Sequence, residues 1–204
     1  MTRNPDLILA SASPRRRELL QNLGLVLAIE PVDIDEATRD GEPVRDYVAR
    51  VAAEKCDAAA LRRGDTALAV LAADTIVSIG NEILGKACDE MQASAMLQRL
   101  AGHRHEVLTA YRIRLGERMV ERLVTTFVAF RSIDAKEVAA YLASGEWRGK
   151  AGAYAIQGIA GCFVTDLRGS FTNVVGLPVA EVIADLRAIE ALPGYPPPAF
   201  GVVP

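Results

Sequence analysis

A run of seven apolar residues, Ala67 to Ala73, leads without interruption into Asp74. A run of this length is typical of a buried β-strand, and the Gly80-Asn81 pair that follows it is a turn signal that predicts a return strand. Elsewhere short apolar stretches alternate with segments of helical spacing. Hairpins combined with strand–helix alternation predict an α/β fold in which a mixed sheet is flanked by helices.

The start of the chain illustrates how the sequence marks the boundaries of these elements. Leu7 to Ala10 predicts a short buried strand. Ser13 is a suitable N-cap, and Pro14 fits the first helical position, where a missing N–H costs nothing. Leucines continue the helix as far as Leu23, and Gly24 is placed to end it.

Similar signals predict the remaining elements. Asp134 followed three residues later by Glu137 is a capping-box pattern, and the small residues of 150–161 indicate turns between strands. The other predicted elements are a strand at 25–32, a helix at 43–63, a helix from Asp89 to about Gly102, two strands joined at Gly116-Glu117, a helix from Asp134 to Ser144 and a helix from Pro178 to about Leu192.

Composition bounds the domain organisation. The 204 residues are 50% hydrophobic, enough for one sizeable core with room for two lobes. No linker divides the chain, so we expect one domain at 1–192. The proline-rich segment 193–204 is expected to form an extended or irregular tail.

Charge and cysteine usage exclude several function classes. The formal net charge is −3, so no global positive field attracts nucleic acid or an anionic membrane, and we expect neither as a partner. No apolar stretch approaches the length of a membrane helix, and the N-terminal segment lacks the features of a secretory signal. The three scattered cysteines, Cys56, Cys88 and Cys162, predict free and mostly buried thiols in a reducing cytoplasm.

A possible anion site lies directly after the first strand. The segment "SASPRRREL" combines two hydroxyls, a helix N-terminus and Arg15 to Arg17. Cations at a helix N-terminus oppose the helix dipole, which favours a phosphate ligand that would offset the repulsion. The alternative is that these arginines simply face solvent.

Asp74 is the second candidate, because a carboxylate at or within a buried strand requires a partner, a metal ion or a function. A turn-capping role is the alternative. Lys55, Lys86 and the acidic residues Asp33, Asp35 and Glu36 are weaker candidates, and Gln157 is either a reader of a ligand edge or a turn residue. His103 and His105 are expected on one face but are too few for a convincing metal site. The chain has no P-loop, no GxGxxG helix start and no Gly-x-Ser-x-Gly turn.

Taken together, the segments "LASASPRRREL", "AADTIV", "LGK" and "KAGAYAIQGIAGCFV…VVGLPV" resemble the Maf family of nucleoside triphosphate pyrophosphatases. The resemblance extends from about residue 7 to residue 191. It implies the fold of inosine triphosphate pyrophosphatases, with a long mixed sheet and two lobes around a cleft. It also implies a homodimer and hydrolysis of a nucleoside triphosphate to the monophosphate and pyrophosphate with Mg²⁺ or Mn²⁺. "AADT" in place of Gly-Ala-Asp-Thr is a mild departure from the family pattern.

The resemblance also implies roles for individual residues. Ser11, Arg15 and Arg16 would bind phosphate, and Asp74, Lys55 and Lys86 would be catalytic, with Asp74 as proton acceptor. Glu36 and Asp74 would hold the metal. Arg16, Thr75 and Gln157 match the subgroup that acts on dTTP and UTP.

Two alternatives remain open at this point. One keeps the reaction but changes the base, to 7-methyl-GTP or a modified pyrimidine. The other is a regulator of division or DNA maintenance that acts by binding a partner. A pure binding module, however, has no physical need for a buried carboxylate beside lysines.

Overall fold

The structure is a computed structural model, and it describes residues 4–64, 67–80, 82–192 and 194–196. The described strands are β1 (Leu7–Leu9), β2 (Leu27–Ile29), β3 (Ala69–Ile79), β4 (Glu82–Leu84), β5 (Arg104–Leu115), β6 (Arg118–Phe130) and β7 (Val164–Arg168). The α-helices are α1 (Pro14–Gln21), α2 (Val44–Arg63), α3 (Glu90–Leu100), α4 (Ala135–Ala143), α5 (Phe171–Val175) and α6 (Val179–Ala188), and Ile159–Phe163 forms a 3-10 turn.

All seven strands belong to one mixed sheet, as predicted. Its order is β2-β1-β3-β5-β6-β7, and β4 pairs with β3 outside this path. The pairs β1–β2 and β1–β3 are parallel, whereas β3–β4, β3–β5, β5–β6 and β6–β7 are antiparallel. The β1–α1–β2 unit therefore adds a small parallel part to a sheet built mainly of hairpins.

β3 packs against helices on both faces of the sheet, because side chains alternate between the two faces of a strand. On one face, Ala72 and Ile76 pack against α2. On the other face, Leu71 and Ala73 share a core cluster with α1 and α6, whereas Val77 belongs to a separate cluster with α3 and α4. Thr75 lies between these two clusters. The cluster with α1 and α6 forms one lobe and the cluster with α3 and α4 forms the other, with the cleft between them at Thr75.

The edge of β3 that faces β1 is open along part of its length. The register of β1 ends at Leu9↔Leu71, and that of β4 begins at Val77↔Leu84. Among the described strands, none pairs with β3 on this side between these two points. Groups from both faces of the sheet can therefore meet at this gap, which lies outside the carboxyl end of β1, as ligand sites of open α/β sheets do.

The element boundaries follow the sequence closely, with a few differences. β2 is shorter than predicted, and α6 ends at Ala188 rather than near Leu192, because the chain turns at Glu190, whose φ is +60°. The short helix α5, which begins at Phe171 and overlaps the segment "TNVVGLP", was not predicted. The prediction of mostly buried thiols is wrong, since only Cys56 is buried and Cys88 and Cys162 are exposed.

Most of the predicted tail, 193–204, lies outside the described residues, apart from 194–196. The domain boundary at residue 192 therefore stays a prediction. In the part of the chain that the structure describes, no helix has the length and apolar character needed to cross a membrane.

His103 and His105, which were expected on one face, lie in different environments and are not paired for a shared metal ion. His105 is buried on β5, where its Nε2 lies 2.9 Å from the hydroxyl of Tyr154. His103 is exposed in the preceding turn, and its Nδ1 lies 2.8 Å from the carbonyl oxygen of Ala101. Burial lowers the pKa of His105 to about 4.

This shift predicts a pH-dependent stability. The unfolded chain takes up a proton at His105 near pH ~6.5 and the folded chain only near 4, so stability falls as the pH drops between these values, by up to about 3 kcal/mol. Urea unfolding at stepped pH should show a smaller loss for His105→Gln than for wild type. His103→Gln, the exposed control, should behave as wild type. Equal losses in all three proteins would contradict this assignment.

Candidate active site

A pocket of about 350 Å³ opens at the gap in the edge of β3. This volume lies at the lower end of the range for small-molecule sites. The pocket is lined from both lobes by residues far apart in sequence. Its polar lining includes Ser11, Ser13, Arg15, Arg16, Glu36, Lys55, Thr75, Lys86, Lys150, Tyr154 and Gln157.

Arg16 occupies the gap and hydrogen-bonds to both sides of it. Its Nη1 donates to the carbonyl oxygen of Ala73 at 2.7 Å and to Oγ of Ser11 at 3.2 Å. Its Nε donates to the carbonyl oxygen of Gly176 at 2.8 Å, and its Nη2 donates to Oγ1 of Thr75 at 3.0 Å. Burial lowers the pKa of the guanidinium, and the negative charge of Asp74 opposes that effect. Arg16 therefore joins α1, β3 and the end of α5.

The three consecutive arginines have three different environments. Arg15 lines the pocket and donates from Nε to the carbonyl oxygen of Val175 at 3.1 Å, leaving its terminal N–H groups without a hydrogen bond to any described residue. Arg16 is buried, and Arg17 is exposed. Ser13 caps α1, as predicted. The positive charge that is available to a ligand at this helix start thus comes from Arg15.

Lys55 holds two carboxylates at one point. Its Nζ lies 2.8 Å from Oε1 of Glu36 and 2.9 Å from Oδ1 of Asp74. The Glu36 loop is fixed by α2, since the hydroxyl of Tyr47 donates to the carbonyl oxygen of Glu36 at 3.0 Å and Arg50 donates to that of Ala37. Two carboxylates on one ammonium form a compact group that retains a net negative charge.

This pair of carboxylates fits a hard divalent cation. Mg²⁺ prefers oxygen ligands and is usually bound by one or two carboxylates together with substrate phosphates. Within the described residues, no group of three or more His, Cys, Asp or Glu side chains could hold a metal on its own. Glu36 and Asp74 therefore suit a cation that arrives with a phosphorylated ligand.

Asp74 does not itself line the pocket. It lies beside Thr75 on β3, so its side chain points towards α2, on the other face of the sheet. The side chain is nevertheless 13% exposed and contacts the pocket residue Lys55. The open edge of β3 is what allows a residue from this face to reach the site.

The hydroxyl groups of Thr75 and Thr109 form a hydrogen-bonded chain that leads away from Arg16 into the core. Oγ1 of Thr75 lies 2.9 Å from Oγ1 of Thr109, whose hydroxyl donates to the carbonyl oxygen of Asn173 at 3.1 Å. Thr109 and Asn173 are fully buried. Neither residue was predicted, because the pairing of β3 with β5 that brings Thr75 opposite Thr109 is not visible in the sequence.

Lys86 and Gln157 lie on the lobe that contains α3 and α4. Lys86 forms an isolated antiparallel bridge with Ala151, and its side chain is exposed and makes no ion pair with a described residue. Gln157 is exposed at the rim of the pocket, and its amide makes no hydrogen bond to the described part of the chain. Both side chains are therefore available to a ligand.

Residues 6–189 match the family model described as "Maf-like protein". The chain belongs to the Maf-like protein family. Curated relatives of this Maf-like protein carry the name "dTTP/UTP pyrophosphatase". They include a protein of Cereibacter sphaeroides that is 52% identical over 190 residues, covering 93% of this chain and 97% of the relative. A protein of Anaeromyxobacter dehalogenans is 52% identical over 199 residues, covering 95% and 97%, and one of Nitrobacter winogradskyi is 49% identical over 196 residues, covering 93% and 95%.

The pocket of this Maf-like protein thus brings together the site residues implied by the resemblance except Asp74, which reaches it through Lys55. The weaker candidates Asp33 and Asp35 do not line it. Lys150, Tyr154 and Thr109 were missed. The sequence signal for Lys150 is the scarcity of lysine elsewhere in the chain, whereas Tyr154 and Thr109 have no comparable signal.

The hydroxyl chain predicts an effect of Thr109→Val, which removes one hydroxyl and preserves the shape of the side chain. The buried carbonyl oxygen of Asn173 loses the hydroxyl of Thr109 but keeps the N–H of Gly176 as a donor, so the free energy of unfolding should fall by about 0.5–1.5 kcal/mol, the net contribution of one hydrogen bond. Because Thr75 also loses a partner, kcat/KM for the nucleotide substrate should fall by roughly tenfold, or ~1.4 kcal/mol.

Thr126→Val is the matched control. Thr126 is equally buried, but its hydroxyl contacts Asn173 and Ser170. It should therefore lose stability and retain most of its activity. Equal losses of activity in the two variants would show that the hydroxyl chain has no specific role.

Proposed function

We propose that this Maf-like protein hydrolyses dTTP and UTP to the monophosphate and pyrophosphate. The names of its relatives support the substrates. The observation that carries the proposal is the arrangement of charge in the pocket. The carboxylates of Glu36 and Asp74 both form ion pairs with Lys55. The cations Arg15 and Lys86 line the same pocket and have no carboxylate partner among the described residues.

The proposed reaction is attack of water on the α-phosphorus, with pyrophosphate as the leaving group. Charge moves onto the leaving oxygens in the transition state, so catalysis of this kind depends mainly on positioning and electrostatic stabilisation. Arg15 and Lys86 would bind phosphate oxygens and neutralise this charge. Ser11 and Arg16 would complete the phosphate site at the start of α1, with Arg16 acting mainly through the groups that it holds in place.

Asp74 would orient the attacking water and accept its proton on a carboxylate oxygen. Lys55, hydrogen-bonded to Asp74, would keep that carboxylate in position and stabilise its charge. Glu36 and Asp74 would hold Mg²⁺ or Mn²⁺ together with the substrate phosphates. When bound, this cation supplies positive charge to the phosphate oxygens.

Recognition of the base would involve Gln157, Thr75 and Arg16. A uracil or thymine ring presents two carbonyls and one N–H, and a side-chain amide has a matching acceptor and donors. The amide of Gln157 makes no hydrogen bond within the described part of the chain, which leaves it available for such an edge. Thr75 and Arg16 bind each other, so they would define the shape of the pocket wall.

Three further parts of the proposal rest on the family resemblance. They are the use of Mg²⁺ or Mn²⁺ as cofactor, a homodimeric assembly and a cytoplasmic location.

A nucleotide panel tests the proposed substrate. Purified protein with Mg²⁺ or Mn²⁺ should release pyrophosphate from dTTP and UTP faster than from ATP, GTP or 7-methyl-GTP. The assay must separate pyrophosphate from orthophosphate. Orthophosphate as the sole product would contradict the proposed reaction, and a preference for 7-methyl-GTP would contradict the proposed base.

Asp74→Asn provides the internal control for the same assay. It should retain the fold and lose most turnover, whereas Asp46→Asn, which changes an exposed residue of α2, should retain activity. A kcat for Asp74→Asn within about tenfold of wild type, or less than ~1.4 kcal/mol, would exclude Asp74 as the catalytic carboxylate.

A further inference from the structure

Lysine is rare in this chain and concentrated at the pocket. Of the 23 basic residues only four are lysines, namely Lys55, Lys86, Lys136 and Lys150, and all but Lys136 line the pocket. The rest of the surface relies on arginine. Lys55 and Lys86 have roles in the proposed reaction, whereas Lys150 has none.

The backbone fixes Lys150 next to Lys86. Ala151, the following residue, forms the β-bridge with Lys86. The N–H of Gly152 lies 3.0 Å from the carbonyl oxygens of both Leu84 and Gly85. Lys150 and Lys86 therefore project from two short segments that are hydrogen-bonded to each other.

This segment is also conformationally constrained. Gly152 has φ +65°, and a Cβ there would lie 3.0 Å from Val77, so the close approach requires glycine. Ala153 is buried with φ +57°, a conformation that non-glycine residues rarely adopt, and its N–H donates to the carbonyl oxygen of Lys150 at 3.1 Å. Surrounding contacts must hold such a backbone in place, which gives Lys150 a defined position.

The charge of Lys150 has no anionic partner within ion-pair distance among the described residues. Its Nζ donates to the carbonyl oxygen of Arg148 at 3.0 Å, which leaves two of its three N–H donors for a ligand. Burial and then the charge of Arg15 lower the pKa of Lys150, and the carboxylate of Glu146 opposes them. Burial likewise lowers the pKa of Arg15. Two half-buried cations that repel each other in one pocket are stabilised by a bound anion.

We propose that Lys150 binds the pyrophosphate moiety of the substrate together with Arg15 and Lys86, and stabilises it as the leaving group. This inference rests on the proposed function for the identity of the substrate. In the reaction, the water oxygen bonds to the α-phosphorus and a water proton passes to Asp74. The bond from the α-phosphorus to the bridging oxygen breaks, and its electron pair stays on the pyrophosphate, where the charge of Lys150 offsets it.

Binding of inorganic pyrophosphate tests this assignment without catalysis. Calorimetry with the full chain at fixed Mg²⁺ would compare wild type with Lys150→Met, Lys150→Gln and Lys150→Arg. The first two variants should weaken pyrophosphate binding by at least about tenfold, or ~1.4 kcal/mol. Lys150→Arg keeps the charge and should stay within roughly threefold. Affinity for UMP, which lacks the pyrophosphate moiety, should change less than about twofold in every variant.

Lys136→Met is the matched control, since Lys136 is exposed on α4, away from the pocket lining. It should bind pyrophosphate as wild type does.

A purely structural role for Lys150 would lower the melting temperature or weaken pyrophosphate and UMP binding equally, and that result overturns the assignment. Undetectable pyrophosphate binding by wild type, or unchanged binding by both Lys150→Met and Lys150→Gln, overturns it as well. Selective loss of pyrophosphate binding in a protein whose wild type does not cleave dTTP would overturn the proposed function and leave the anion site in place.

Discussion

The hydrogen bonds from Arg16 to the carbonyl oxygens of Ala73 and Gly176 are the interactions on which the site depends. A strand interrupted on one side exposes backbone carbonyls that must be satisfied, since an unpaired buried acceptor costs about 1–3 kcal/mol. The guanidinium of Arg16 supplies such a donor to Ala73 on β3, in place of a neighbouring strand, and the same planar group binds the carbonyl oxygen of Gly176 at the end of α5. The gap in the sheet is thereby stable enough to serve as the floor of a pocket.

Arg15 and Arg16 are adjacent at the start of α1, but this arrangement gives them different functions. Arg16 is a structural cation whose donors are mostly occupied by protein acceptors, whereas Arg15 presents its terminal N–H groups to the pocket. The same gap allows Asp74, which points towards α2, to share Lys55 with Glu36. A ligand with three phosphates would meet a carboxylate pair suited to a divalent cation as well as cations that lack carboxylate partners among the described residues. That is the charge pattern expected for cleavage of a phosphoanhydride.

Local signals predicted most of the fold because each acts over a few residues. Ser13 with Pro14, Asp89, and the Asp134–Glu137 capping box all cap helices as the sequence indicates. The helix α5 was missed because its five residues are stabilised by the long-range contacts of Asn173 with β5 and β6 rather than by helical periodicity. The thiols of Cys88 and Cys162 were misassigned because composition does not determine which loops face solvent.

The candidate site could be predicted only in part for the same reason. Ser11, Arg15, Lys55 and Lys86 belong to recognisable motifs, and the structure gathers them in one pocket. The hydroxyl chain through Thr109 depends on the register of β3 against β5, and the position of Lys150 depends on an isolated bridge to Lys86. Both are pairings between distant segments, and a single sequence does not specify them.

In the proposed reaction, water attacks the α-phosphorus while the cations of the pocket hold the pyrophosphate. Single-turnover hydrolysis of UTP in ¹⁸O-labelled water, followed by mass spectrometry of both products, tests it most directly. We expect one labelled oxygen in UMP and none in pyrophosphate. Label in pyrophosphate would place the attack on the β-phosphorus and contradict the proposed reaction.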